Sequence, residues 1–235
     1  HRDLHLSIRR QRQMCIRDRC GAYIKVKNRT ITIKGVEELN LEDYKVIPDR
    51  IEAGSYILAT MATKGRLRLN NFNPDDLTFP LKIYQDMGLK IKKISKSSYE
   101  FNCKTLKPIK KISTKEFPGY PTDLQAQLIA TQLKSALKSK VVENIFENRF
   151  IHIPELRRFG ANLSIIGKTV TIHKTPNLYG AEVMATDIRA SFSLIIAAMM
   201  SKGTTVINRI YHLDRGYEDF DLKLKKCGVN ISRKK

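Results

Sequence analysis

Two opposite hydrophobic patterns recur along this chain. In ASFSLIIAAMM (190–200) almost no polar side chain interrupts the apolar run. A helix of that composition has no solvent face, so the pattern predicts burial on all sides. Elsewhere apolar and polar residues alternate, as in Arg66-Leu67-Arg68-Leu69 and Thr30-Ile31-Thr32-Ile33-Lys34. Alternation predicts strands with one face in water. Buried helices under solvent-facing sheets invert the usual α/β layering.

The pattern repeats three times. DRIEAGSYILATMATKGRLRLNN, TDLQAQLIATQLKSALKSKVVEN and TDIRASFSLIIAAMMSKGTTVIN align on Asp49, Asp123 and Asp187. Sixteen residues after each aspartate stand Gly65, Ser139 and Gly203; twenty-one after stand Asn70, Asn144 and Asn208. A second helix-like segment then closes at Gly88, Gly160 or Gly228, and a further strand is expected after each. An aspartate or Thr-Asp pair starts a helix by satisfying free N–H groups. Thr122-x-x-Gln125 has capping-box spacing. Gly or Ser near the helix end permits a turn. NLSIIGKTVTIHK reads as a hairpin turning at IGKT. The expected fold is therefore α+β, mixed α/β: an inside-out α/β barrel or prism of three repeated units, helices inside and sheets outside.

CGAYIKVKNRTITIK (20–34) matches the segment that follows a second helix. Gly21 to Thr30 spans nine residues, as Gly160 to Thr169 does. The chain is thus expected to enter in mid-repeat. Residues 20–48 read as the end of another domain, and 49–235 as one nearly complete domain of three repeats.

The formal charge of +20 predicts attraction to anions, whether nucleic acid, anionic membrane or charged small substrates. The apolar runs are far below the roughly 20 residues that span a bilayer. Cys15, Cys20, Cys103 and Cys227 show no CxxC spacing. They read as thiols of a reduced, cytoplasmic chain without a zinc site or other metal or cofactor. His152 and His212 are isolated in sequence and read as structural. A nucleic-acid-binding module would need clustered cations with stacking aromatics; here lysines are spread over every repeat and Trp is absent.

The charge also changes in kind along the chain. Residues 1–19 hold six arginines, two aspartates and no lysine. Met14–Arg19, MCIRDR, is the translation of ATG TGT ATA AGA GAC AGR, a string resembling a transposase adapter end. The composition break, the truncated repeat and this peptide meet at one junction. Residues 1–19 are therefore expected to be a non-native segment with no packed place in the fold.

Arginines in strand-to-helix loops suit carboxylate and phosphate binding. Arg149 lies in ENRF, Arg189 in TDIRAS and Arg215 in YHLDRGYE. Together with IPDRIEAGSYILA, FPGYPTDLQAQ, ENRFIHIPELRRFGA, GAEVMATDIRAS and RIYHLDRGYEDFDLKLKKCGVNI, these motifs resemble the C-terminal half of the UDP-N-acetylglucosamine enolpyruvyl transferases (1-carboxyvinyltransferases). The resemblance covers about residues 20–233. It implies two domains, each an inside-out α/β barrel of three βαβαββ-type units. It implies enolpyruvyl transfer from phosphoenolpyruvate to the 3′-hydroxyl of UDP-N-acetylglucosamine, with release of phosphate, as the first committed step of bacterial peptidoglycan synthesis. Both substrates are polyanionic small molecules, which accounts for the basic charge without nucleic acid or membrane.

By the same resemblance Asp123 is the general base that orients the sugar, and Asp187 a candidate for proton handling. Arg189 and Arg215 bind phosphoenolpyruvate, Arg149 lies near the sugar nucleotide, and Ile145 offers a backbone contact to it. Asp49 and Arg50 fall where the domains join. Each residue also has an ordinary role open to it. Asp123 and Asp187 would cap helices. Arg189 and Arg215 would pair with Asp187, Asp214 or Glu218, and Arg149 with Glu147 or Glu155. Ile145 would belong to a core strand. The family's lysine-asparagine pair and its reactive-cysteine loop have no counterpart here, so the missing N-terminal half would be needed for turnover and this chain alone is expected to be inactive. The related 5-enolpyruvylshikimate-3-phosphate synthases share fold and donor; ENRFIHIPEL and PTDLQAQ favour the sugar-nucleotide enzymes.

Overall fold

A computed structural model describes residues 20–27, 30–40, 43, 46–135 and 137–234. The chain divides into two compact units, His1–Ile47 and Pro48–Lys235. The stretch 1–19, read above as non-native, lies outside the described residues.

In the first unit β1 (Tyr23–Lys27) and β2 (Thr30–Lys34) form an antiparallel hairpin with Tyr23 opposite Lys34. All five residues of β2 are exposed, so its alternation marks a strand without a covered face.

The second unit runs in order through α1 (Arg50–Ala62), β3 (Arg66–Leu69), a 3-10 turn (Pro74–Leu77), α2 (Thr78–Asp86), β4 (Lys90–Lys93), β5 (Tyr99–Asn102) and β6 (Lys111–Ser113). A second 3-10 turn (Thr122–Leu124) leads into α3 (Gln125–Thr131), β7 (Ser139–Val142), α4 (Ile153–Arg158), β8 (Leu163–Ile166), β9 (Thr169–Ile172) and β10 (Glu182–Met184). The chain then continues through α5 (Phe192–Met200), β11 (Val206–Asn208), α6 (Tyr211–Asp214) and α7 (Phe220–Lys226).

The first helices of the three repeats, α1, α3 and α5, pack against one another. Leu58, Ile129 and Ile196, one from each, are fully buried. Every residue of α3 is buried, including the polar Gln125, Gln127 and Thr131, whose side chains hydrogen-bond within the fold. Gly54 lets α1 lie close to the turn before α3, because a Cβ there would meet Leu124 Cδ1 at 2.6 Å. The strands form three sheets, ordered β3-β5-β4, β6-β7-β9-β8 and β10-β11. β6 runs parallel to β7 and β10 to β11, which requires the crossovers that α3 and α5 supply. β3 alternates exposed and half-buried residues, the pattern predicted for RLRL.

Some local expectations change. After α1 the left-handed residue is Lys64 (φ 54), not Gly65. Ser139 does not cap α3 but opens β7, with its hydroxyl on Gln132 Oε1 at 3.1 Å. No strand follows Gly228 among the described residues. Gly88, Gly160 and Gly228 all take positive φ, as the repeat alignment predicted for residues closing a helix.

Candidate active site

Pro121 ends an extended segment, and Thr122–Leu124 then form the 3-10 turn before α3. The expected capping box does not form, since neither the turn nor α3 has a side-chain cap. Thr122 Oγ1 donates instead to Glu143 Oε2 at 2.7 Å. Gln125 Nε2 donates to the carbonyl of Arg149 at 3.0 Å. Both caps are diverted to the loop after β7, and that loop brings Arg149 back to the turn. Arg149 Nη2 meets Asp123 Oδ1 at 2.6 Å and Nη1 donates to Thr122 Oγ1 at 3.2 Å. Its guanidinium lies 4.9 Å from the Phe146 ring centre, a cation–π distance. Glu147 and Glu155 are not its partners; Glu155 accepts from Met184 N at 2.8 Å. Ile145 sits in the loop beyond β7, half-buried, rather than in a core strand. Its N–H donates to Glu143 Oε1 at 2.8 Å.

The third-repeat residues are arranged differently. Asp187 Oδ1 accepts from the backbone N–H of Arg189 at 2.8 Å and of Ala190 at 2.5 Å. These N–H groups belong to the turn before α5, whose N-cap position is Ser191, so Asp187 closes that turn rather than capping the helix as sequence suggested. The Ser191 hydroxyl closes the same turn onto the Asp187 carbonyl. Arg189 pairs across the fold, Nη2 to Asp49 Oδ2 at 2.5 Å and Nη1 to the Gly216 carbonyl at 2.6 Å. Its guanidinium lies 5.2 Å from the Tyr217 ring centre. Asp49 also caps α1, its Oδ1 accepting from Ile51 N at 2.7 Å. Arg215 follows α6, exposed and without an ion pair among the described residues. Asp214, a partner open to it from sequence, is held by Arg233 at 2.6 Å.

The two arginine loops are tied by one helix turn. Gln125 holds the Arg149 carbonyl, and Gln127 Nε2 lies 3.0 Å from the Arg189 carbonyl. Residues two apart on a helix point in nearly opposite directions, so α3 reaches both loops at once. Gln127 Nε2 also lies 3.1 Å from Ser55 Oγ and from Tyr217 Oη, which are 2.8 Å from each other. All three repeats meet in this buried polar node. A surface groove lined by Asp49, Arg50, Asn70 and Lys223, among others, contains none of Asp123, Arg149 and Arg215.

The sequence profile described as EPSP synthase (3-phosphoshikimate 1-carboxyvinyltransferase) matches residues 3–224. The chain belongs to this enolpyruvyl transferase family. The matched span begins inside the arginine-rich opening stretch. Within the family, the curated UDP-N-acetylglucosamine 1-carboxyvinyltransferase of Pelagibacter ubique is 47% identical over 214 residues, covering 91% of this chain and 51% of the relative. The enzyme of the same name from Bartonella henselae is 48% identical over 217 residues, covering 91% and 50%. The chain thus spans about half the length of the curated relatives it matches. The crystal structure of the enolpyruvyl transferase NikO from Streptomyces tendae superposes with a TM-score of 0.77 at 24% identity, over 92% of this chain and 52% of that one. The EPSP synthase from Acinetobacter baumannii gives 0.68 at 14% identity, over 94% and 54%. These two share the mixed helix-and-sheet fold.

In this member of the enolpyruvyl transferase family, sequence reasoning missed Glu143 and Gln127 and gave Gln125 only a capping role. One signal was present: two glutamines in an otherwise apolar helix start are out of place unless they are hydrogen-bonded in the core. Among the described residues no group of three or more His, Cys, Asp or Glu could hold a metal ion. His152 is fully buried, and neither ring nitrogen has a hydrogen-bond partner. Burial, and secondarily the nearby Arg149 charge, push its pKa down to about 3.

That shift has a consequence for acid stability. The unfolded imidazole takes its proton near pH 6.5, whereas the folded one takes it only near 3. Between those values the unfolded state binds more protons, so stability falls as pH falls, by about 1.4 kcal/mol per unit. Going from pH 6.5 to 5, His152 is expected to remove about 2 kcal/mol, with its full contribution present above pH 6.5. A His152→Leu chain lacks this term, so its urea-unfolding free energy should decline less steeply with acid. Equal slopes for the two chains would remove His152 from the acid response.

Proposed function

We propose that this chain is the C-terminal half of a UDP-N-acetylglucosamine 1-carboxyvinyltransferase. On this reading it serves the transfer of enolpyruvyl from phosphoenolpyruvate to the 3′-hydroxyl of UDP-N-acetylglucosamine, with release of phosphate. The observation that carries the reading is the behaviour of the repeat aspartates. Asp49 and Asp187 each spend an oxygen on backbone N–H groups, while among the described residues Asp123 meets only the Arg149 guanidinium. A carboxylate relieved of capping is available to a substrate hydroxyl. The 43–48% identity to curated enzymes of that name supports the substrate assignment.

In this mechanism Asp123 accepts the proton of the sugar hydroxyl as the oxygen attacks C2 of phosphoenolpyruvate. C3 gains a proton, giving a tetrahedral adduct. Loss of that adduct's phosphate and of a C3 proton yields the enol ether. Arg149 fixes the carboxylate and counters the charge of the nucleotide. The exposed Arg215 is ready to meet the carboxylate or phosphate of the donor. Arg189 must loosen from Asp49 to join it. Asp187, with one oxygen spent on the N–H groups of its turn, has its Oδ2 free to handle a proton. The Ile145 carbonyl offers the nucleotide contact. The finer architecture fits an inside-out prism, with α1, α3 and α5 as its centre and the three sheets around them. The cytoplasm is where both substrates would be met; among the described residues no helix is long and apolar enough to cross a membrane. No cofactor enters this scheme.

The test is a chimera in which residues 20–234 replace the matching half of the Pelagibacter ubique enzyme. It should release phosphate only with both substrates present, whereas the chain alone should release none. A folded chimera that uses shikimate 3-phosphate instead would shift the assignment to the 3-phosphoshikimate enzymes, and phosphate release by the chain alone would overturn the need for a second half.

A further inference from the structure

We infer that Glu143 is a positioning residue that presents Asp123 and Arg149 to substrate; this rests on the reading of that pair as the sugar-nucleotide corner. Glu143 follows β7 directly and is only 1% exposed. A buried carboxylate is costly unless hydrogen bonds replace its water. Among the described residues no cation does so, and four neutral donors converge on it. Oε1 accepts from Thr114 Oγ1 at 2.8 Å, Ile145 N at 2.8 Å and Phe146 N at 3.2 Å. Oε2 accepts from Thr122 Oγ1 at 2.7 Å.

The division between the two oxygens carries the inference. One holds the loop that ends in Arg149, and the other holds the turn that contains Asp123. Thr122 is the shared link, since its hydroxyl donates to Glu143 and accepts from Arg149 Nη1 at 3.2 Å. Phe146, whose N–H is held by Oε1, puts its ring under the Arg149 guanidinium. The side chain therefore sets both the distance between base and arginine and the height of the loop. A reacting pair needs such support to stay within a fraction of an ångström of its working geometry. A residue serving stability alone could be apolar at this depth, because buried carboxylates are weak stabilisers.

Glu143→Gln tests this, because it keeps Oε1 as acceptor and turns Oε2 into a donor facing Thr122. In the chain itself, amide exchange at Ile145 and Phe146 should stay within about threefold of the parent for Glu143→Gln and rise at least about tenfold for Glu143→Ala. The amides of α5 should be unchanged in both. Unchanged exchange at Ile145 in a folded Glu143→Ala chain would overturn the loop contact, whether or not the chimera is active. Should Glu143→Ala not fold, Glu143→Gln decides alone. In the active chimera Glu143→Gln is expected to lower kcat at least about tenfold, with the KM for phosphoenolpyruvate and the melting temperature little changed. Combined with Arg149→Lys, the second substitution should add little, because both act through one unit. Fully additive losses would mean that Glu143 does not work through the pair. A chimera inactive with native Glu143, but with the expected exchange pattern, would count against the functional reading and leave the positioning role standing.

Discussion

Asp123→Asn in the chimeric enzyme is expected to reduce phosphate release about 100- to 10,000-fold, the range associated with loss of a general base. The asparagine keeps an oxygen for Arg149 Nη2 but cannot take the hydroxyl proton. The fold should tolerate the change. The Asp123–Arg149 side chains are 28% and 22% exposed, and a pair at that depth contributes only about 1 kcal/mol once solvent screening is allowed for. Because no helix cap depends on Asp123, α3 loses nothing at its start. Steady-state phosphate release and a thermal melt measured together check both halves of the statement. An unchanged rate would remove Asp123 from the chemistry, and a collapsed melt would show that the residue is structural after all.

Gly88→Ala should be strongly destabilising. Gly88 closes α2 at φ 107, and a Cβ there would stand 2.2 Å from the Thr105 carbonyl oxygen. That oxygen is backbone, and its segment is pinned by Lys107 N–H on the Met87 carbonyl at 2.8 Å. Positive φ costs an alanine about 1–2 kcal/mol, and the clash adds a forced backbone shift. A loss of about 3 kcal/mol or more is expected, a large part of a typical domain's 5–15 kcal/mol. Gly228→Ala is the internal control. Its φ is 88, but nothing lies within 4 Å of the added methyl, so only the torsional part should appear. Urea titrations of the two variants measure the difference, and equal losses would disprove the steric part of the argument.

How much was legible in the sequence varied with the range of the interaction. The buried first helices and the closing glycines could be read from residue patterns. So could the helix-start role of Asp49, because a cap reaches only to its own second or third neighbour. Ile51 N lies two residues from Asp49, and Arg189 N two from Asp187. The capping box at Thr122 failed because both of its side chains had stronger claims elsewhere, on Glu143 and on the Arg149 loop. Local propensity cannot register a competitor 21 or 24 residues away.

The sequence by itself determined that three like units begin with aspartate and bury an apolar helix, since those choices follow from periodicity and from backbone groups within one turn. It made Asp49, Asp123 and Asp187 equivalent by position. Only the tertiary structure separated them. Convergence of α1, α3 and α5 sets Asp49 against Arg189, 140 residues away, and the loop after β7 carries Arg149 to Asp123. Asp49 both caps α1 and faces a guanidinium, whereas Asp123 faces a guanidinium without capping a helix. In this fold the packing of three buried helices decides which donors stand within hydrogen-bond distance of each carboxylate.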